Sequence, residues 1–233
     1  MLRRFLPTAI AVLFFLATLP VQAYEAVEEV VAAPTITYRK AFSIDAAIEL
    51  WNRALDNPCL MGRLWEAYGF RPAYTVTGTD TGIRVSDALG ITGDIRQIDR
   101  SDHARTLYAA GSFDHWAVPS FFTAGGVIVF ECMPYRDGCA GEATVFLRGD
   151  NGISRFVMRL FSGILTRRIG NRTASMLENM EVIIRDIARD PRKVRAALAG
   201  EALGEFDRVF PAEKSESADG EEVLSDLQRR MSR

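Results

Sequence analysis

Histidine and cysteine are scarce in this chain, two and three residues among 233. Any imidazole chemistry would rest on His103 and His115, and neither stands in a zinc-spaced cluster with cysteines or a second histidine. There is no Gly-x-Ser-x-Gly elbow, no cysteine with a matched histidine and no phosphate-cradling glycine loop. The sequence therefore gives no positive sign of an enzyme and asks for no metal or cofactor. No block of lysine and arginine is long enough to form a phosphate-binding face. The net charge is -2, and -4 once Arg3 and Arg4 are left out, so nucleic acid is not an expected partner. A membrane-spanning run is missing as well. The longest apolar stretch, from Phe5 to Leu19, is interrupted by Pro7 and two threonines and falls short of the roughly 18 to 20 residues that cross a bilayer.

That stretch has the form of a leader instead. Arg3 and Arg4 give a positive start, the apolar run follows, and Val21-Gln22-Ala23 is a small-x-small cleavage site. A membrane anchor is the rival reading, weakened by the short run and by Pro20 just before the cut. A lipoprotein anchor would need a cysteine at the cleavage position, and none is there. The expectation is a signal peptide over 1–23, cleavage near Ala23, and an exported protein, periplasmic or secreted, that begins at Tyr24. The remaining 210 residues suffice for one domain with a core of ordinary size. In an oxidising compartment three cysteines permit one disulfide. Cys132 and Cys139 flank the turn-rich Met133-Pro134-Tyr135-Arg136-Asp137-Gly138, so a bridge between them and a set of three buried thiols both stand open. Cys59, beside Leu60 and Met61, reads as a small buried apolar group.

Along the chain, 24–34 reads as a flexible lead-in and Thr35 to Phe42 as a strand. Asp45 is the expected N-cap of a helix striped with Ala46, Ala47, Ile48, Leu50, Trp51 and Leu55. A second short helix carries Leu60, Leu64, Trp65 and Tyr68 and ends at Gly69. From Arg71 to Gly149 short period-two runs alternate with tight turns, which predicts six strands near 73–77, 83–86, 91–98, 104–111, 126–133 and 140–148. Turns so tight leave no room for crossover helices, so neighbours should be antiparallel. Ile153 to about Ala188 is the longest helical pattern. Its early apolar set (Ile153, Phe156, Val157, Leu160, Ile164) points well over a quarter turn away from its later one (Ile169, Met176, Met180, Ile183, Ile187). A break near Gly163 or Gly170-Asn171 is expected, or a first half that covers something other than the sheet. Residues 200–233 read as a polar, disordered tail.

One strand, two short helices, six antiparallel strands and a long last helix form the element order of the helix-grip fold. The Phe42-Ser43-Ile44-Asp45 start of the first helix, the Asp56-Asn57-Pro58 break and the Ala188-Arg189-Asp190-Pro191 end of the last helix add local matches. On these the chain resembles bacterial members of the START-like superfamily, also called the polyketide cyclase or SRPBCC group, over about Thr35 to Ala199. The resemblance implies an α+β domain over 35–199, a curved antiparallel sheet of about seven strands wrapped around a long C-terminal helix. It also implies a cavity for a hydrophobic molecule such as a lipid, sterol or isoprenoid. The residues considered for lining that cavity or its mouth are Phe113, Trp116, Phe121, Phe122, Val157, Leu160, Ile164, Met176 and Met180. An aromatic rim around Pro119, with Arg159, Arg167, Arg168 and Arg172, would suit transient contact with a membrane surface. Two other readings stay open: a cyclase- or hydrolase-like enzyme using the same cavity, and an interaction module with its cavity packed shut. His103 falls in a turn and reads as solvated. His115 follows Asp114, but adjacent strand residues face opposite ways, so Asp114 would not orient it.

Overall fold

The computed structural model of the protein describes residues 24–87, 91–113 and 123–211. Its strands are β1 (Ile36–Ile44), β2 (Tyr74–Thr79), β3 (Gly82–Asp87), β4 (Ile91–Arg100), β5 (Ala104–Phe113), β6 (Thr123–Tyr135) and β7 (Gly138–Gly149). They form one antiparallel sheet in the order β1-β7-β6-β5-β4-β3-β2. The six-strand meander is present in full, and β1 returns to pair with β7, Ile36 opposite Leu147. Local turn chemistry explains the meander. Thr79 pairs with Gly82 and Tyr135 with Gly138, which leaves two-residue hairpin loops, and Arg136 takes the left-handed conformation (φ 55°) that such loops favour.

The register fixes two faces. Ile83, Ile95, Leu107, Ile128 and Val145 fall on one of them, through the pairs Ile83–Ile95, Leu107–Ile128 and Ile128–Val145. Tyr108, Val127 and Phe146 alternate onto the other. Residues 24–32, read from sequence as a flexible lead-in, form helix α1 instead. Val30 is buried beside Gly125, Arg148 holds Glu29 at 2.6 Å, and Val127 is closed off from solvent, so α1 covers this second face. A lead-in with an apolar side chain at the right step has a surface to pack on, which its own sequence does not reveal.

The remaining helices are α2 (Ile48–Asp56), α3 (Pro58–Ala67), α4 (Gly152–Leu160), α5 (Ser162–Arg189), α6 (Pro191–Ala196) and α7 (Gly200–Val209). Trp51 of α2 is the centre of the core, its ring 4.9 Å from Phe42 and 5.8 Å from Phe130. Asp45 does not cap α2. The N-cap is Ala47, and Asp45 pairs with Arg189 at the far end of α5. Gly69 ends the second helix as expected, with φ +66°. The long helical pattern is broken at Phe161 (φ -105°, ψ 18°), two residues before Gly163. Downstream of the break α5 runs against β1, where a Cβ on Gly170 would stand 2.7 Å from the Tyr38 ring. Arg172 reaches Asp87 of β3 at 2.6 Å. Burial works to raise Asp186, but hydrogen bonds from Lys193 (3.1 Å) and Tyr68 (3.0 Å) outweigh it and hold the carboxyl below its usual range. Burial and then Asp186 push the Tyr68 phenol above its own.

A further expectation is corrected, and one of the two open readings of the cysteines is realised. Residues 200–209 are not tail: α7 buries Phe206, and Phe210 follows it into the same cluster as Trp51, so the packed domain runs past 199. Charged neighbours hide this stripe in sequence, but Glu201 and Glu205 pair with Arg63 and Asp207 with Arg195, which turns those charges outward onto the domain. Residues 212–233 lie outside the described residues. Cys132 and Cys139 are free thiols. Register is the reason: Cys132 stands opposite Gly141 and Cys139 opposite Pro134, so the two are diagonal rather than facing neighbours. Hydrogen bonding to Cys139, with burial, holds the Cys132 thiol far above the ordinary thiol range.

Candidate functional site

Where α2 meets α3, the helices stand off from the centre of the sheet and leave a cavity of about 340 Å3. Its wall is apolar where Leu55 of α2 faces Ile83, Ile95 and Leu107 of β3, β4 and β5. The register puts these strand residues side by side: Ile83 opposite Ile95, and Leu107 opposite Gln97. Gln97 brings an amide into the wall just where β4 carries a bulge between Gln97 and Asp99. The volume falls within the range of small-molecule sites, about 300–1,000 Å3.

The rim of this cavity holds Asp56, Cys59 and Glu205. Asp56 is fully engaged. Arg105, almost wholly buried, donates to it from Nε (2.8 Å) and a terminal nitrogen (3.1 Å), and Arg100 adds a third contact at 3.0 Å. Arg105 also donates to the carbonyls of Ala104 and Ser101, so the pair is a finished structural unit. Glu205 is held by Arg63 at 3.4 Å. Burial, then the nearby Glu205 charge, pushes the Cys59 thiol up against the weaker pull of Arg63, so it stays protonated at neutral pH and is a poor nucleophile.

A second concavity, about 640 Å3 and wide-mouthed, lies between β1 and the start of α5. It is lined by polar and cationic groups, Tyr38, Lys40, Ser162, Thr166, Arg167 and Asn171 among them.

The residues selected from sequence are dispersed by the fold. Phe113 closes β5, while Trp116, Phe121 and Phe122, with His115, lie outside the described residues. Leu160 and Ile164 are exposed rather than turned into a cavity, and Val157 is half-buried. The reason is the break at Phe161. Upstream of it α4 packs on β7 through Ser154 and Met158, on the opposite side of the helix from Leu160 and its neighbours. Met180 is core and Met176 packs against it; neither lines the 340 Å3 cavity. His103 is exposed in its turn, its carbonyl accepting from the Cys132 N–H at 2.8 Å. Leu55, Ile83, Ile95, Gln97 and Leu107 were missed. The period-two pattern of β3, β4 and β5 could have shown that four of them share a face. Among the described residues no group of three or more His, Cys, Asp or Glu side chains could hold a metal ion, and no helix is long and apolar enough to cross a membrane.

No protein-family profile matches the chain, and no curated protein does. Solved structures are similar at low identity. A protein from Rhizobium loti aligns at a TM-score of 0.41 and 10% identity, covering 61% of this chain and 94% of its own. Ara h 8.0201 aligns at 0.42 and 5%, covering 64% and 97%. The Aha1 dimer from Colwellia psychrerythraea aligns at 0.40 and 11%, covering 67% and 98%. The topology of the described residues itself, one strand, a helix pair, six antiparallel strands and a long helix after them, is the helix-grip α+β arrangement.

Proposed function

We propose that the protein is an exported binder of a hydrophobic small molecule, of the lipid, sterol or isoprenoid class, that carries its ligand in the cell envelope through transient contact with a membrane surface. The observation that carries the binding reading is the 340 Å3 cavity whose wall is Leu55, Ile83, Ile95 and Leu107. Affinity would come from apolar area removed from water, at roughly 25 cal/mol per Å2. The Gln97 amide offers two N–H donors and a carbonyl acceptor to a polar head. Binding is favoured over catalysis at this place because Asp56 is neutralised by two arginines and the Cys59 thiol is kept protonated. An interaction module with its cavity packed shut fits less well, since the concavity between the α2–α3 junction and β3–β5 is open. Export rests on the leader pattern of residues 1–23.

Native mass spectrometry of protein purified from the envelope fraction, followed by organic extraction, tests both parts. The expected result is a stoichiometric lipid or isoprenoid on a chain that starts at Tyr24, with the ligand lost in the cavity-filling variant Leu107→Trp. An empty wild-type protein that takes up no fluorescent fatty acid or sterol overturns the binding reading. An intact Met1 start overturns the export reading.

A further inference from the structure

Five of the large apolar side chains exposed on this molecule stand close together in sequence at the α4–α5 junction: Ile153, Phe156, Leu160, Phe161 and Ile164, between 48 and 66% exposed. Ile153, Phe156 and Leu160 follow the i, i+3, i+7 spacing of one stripe on α4, and Ile164 stands exposed just past the break at Phe161. The other side of α4 is committed, with Ser154 and Met158 buried. A stripe so large is unusual on a soluble surface and marks an interaction face.

The charge around it says with what. Residues 151–177 contain no aspartate or glutamate, yet they contain Arg155, Arg159, Arg167, Arg168 and Arg172, in a chain whose overall charge is negative. Arg172 is spent on Asp87, and Arg155 donates to the Gly149 carbonyl. Arg159, Arg167 and Arg168 pair with no carboxylate among the described residues and are exposed. They sit three or four residues from Phe156 or Ile164, beside the stripe on the helix surface. Arg167 also lines the wide-mouthed groove with Lys40 and the side chains of Ser162 and Thr166, a cationic and hydroxyl-bearing recess next to the apolar patch.

We propose that α4 and the first turns of α5 dock onto an anionic lipid bilayer, with Phe156, Leu160 and Ile164 entering the headgroup and acyl boundary and Arg159, Arg167, Arg168 and Lys40 engaging the lipid phosphates. Apolar side chains of this size on one face, flanked by arginine, are the composition of a helix that lies in a membrane interface. The competing occupant, a second copy of this chain, is disfavoured by the same charges. A two-fold interface would set this arginine-rich face against itself, with no carboxylate in 151–177 to compensate. The proposal rests on the membrane-contact part of the function proposed above and assigns it a surface and a lipid charge.

The test is flotation of the full mature chain with vesicles of phosphatidylcholine alone and with 30% phosphatidylglycerol, in the absence of added ligand. Binding is expected to the anionic vesicles, to weaken with salt, and to be weak on pure phosphatidylcholine. Leu160→Ser should lower it about tenfold through lost apolar insertion. Arg159→Gln with Arg167→Gln should lower it about 25-fold, from about fivefold for each arginine. Tyr135→Ser, at an exposed aromatic outside 151–177, should leave it unchanged. Equal binding to both vesicle types, no binding, or binding indifferent to the Leu160 and arginine variants overturns the proposal. So does a wild-type dimer in solution that Leu160→Ser dissociates, or a marked fall in the melting temperature of Leu160→Ser, which would mean the face is covered within the protein or by its copy. Ligand uptake is measured without vesicles, so failure of docking and failure of the binding reading are read separately.

Discussion

In the later part of α5, Leu177, Met180, Ile183, Ile184 and Ile187 are at most 8% exposed, whereas Ile153, Phe156, Leu160 and Ile164, a few turns earlier, are at least 58% exposed. The two sets are alike in chemistry and in helical spacing. They differ in what stands opposite: the later set meets α2, α3 and the cluster around Trp51, while the earlier set, on either side of the break at Phe161, meets solvent. Hydrophobic periodicity therefore specifies that a stripe exists and not what it serves. One stripe holds the domain together and the other is available for binding.

The sharpest way to break this contrast is to truncate each region in turn. Trp51→Ala should destabilise the protein by about 4 kcal/mol in denaturant unfolding, as large aromatic truncations in packed cores do. A loss below about 1 kcal/mol would mean that the cluster around α2 is not the core. Arg105→Ala leaves the Asp56 carboxylate with only the exposed Arg100 and should lose about 3 kcal/mol by the same measurement. An unchanged midpoint would show that solvent already satisfies Asp56. A smaller effect belongs to Asp186, which links α5 to α3 and α6. Its folded carboxyl is held below the ordinary value of about 3.9, so its stabilisation is present above that value and disappears as pH falls through the lowered one. The melting-temperature gap between wild type and Asp186→Asn should hold steady just above the ordinary carboxylate range and close as pH falls below it. A gap that widens on acidification would reverse the sign. Smallest of all, Phe156→Ala should stay within about 0.5 kcal/mol of wild type, since the ring already meets solvent. A core-like loss there would erase the distinction between the two stripes.

Much of the sheet was legible because its information is local. Hairpin loops such as Asp80-Thr81 and Arg136-Asp137 set their own register, and period-two runs did the rest. What escaped depends on partners far away in sequence. Phe206 and Phe210 sit among Glu201, Glu205, Asp207 and Arg208, and only the pairings to Arg63 and Arg195 show that these charges line a docked helix. A turn-rich spacer left a Cys132–Cys139 bridge and free thiols equally open, because two residues of register separate facing from diagonal and the spacer alone does not set them. The candidate cavity was the least legible part. Inward residues of β3, β4 and β5 can be read from alternation, but whether helices rest on them or stand clear is decided by the junction of α2 and α3 at Asn57-Pro58, in three dimensions.

The route of the chain through the core has a consequence for the order in which the fold can be completed. Among the described residues β1 finds its one strand partner in β7, about a hundred residues later, and the cluster around Trp51 is not closed until Phe206 and Phe210 arrive. A growing or threading chain thus carries an unfinished core, with apolar surface open to chaperones and to other chains, until nearly the last described residue has been delivered.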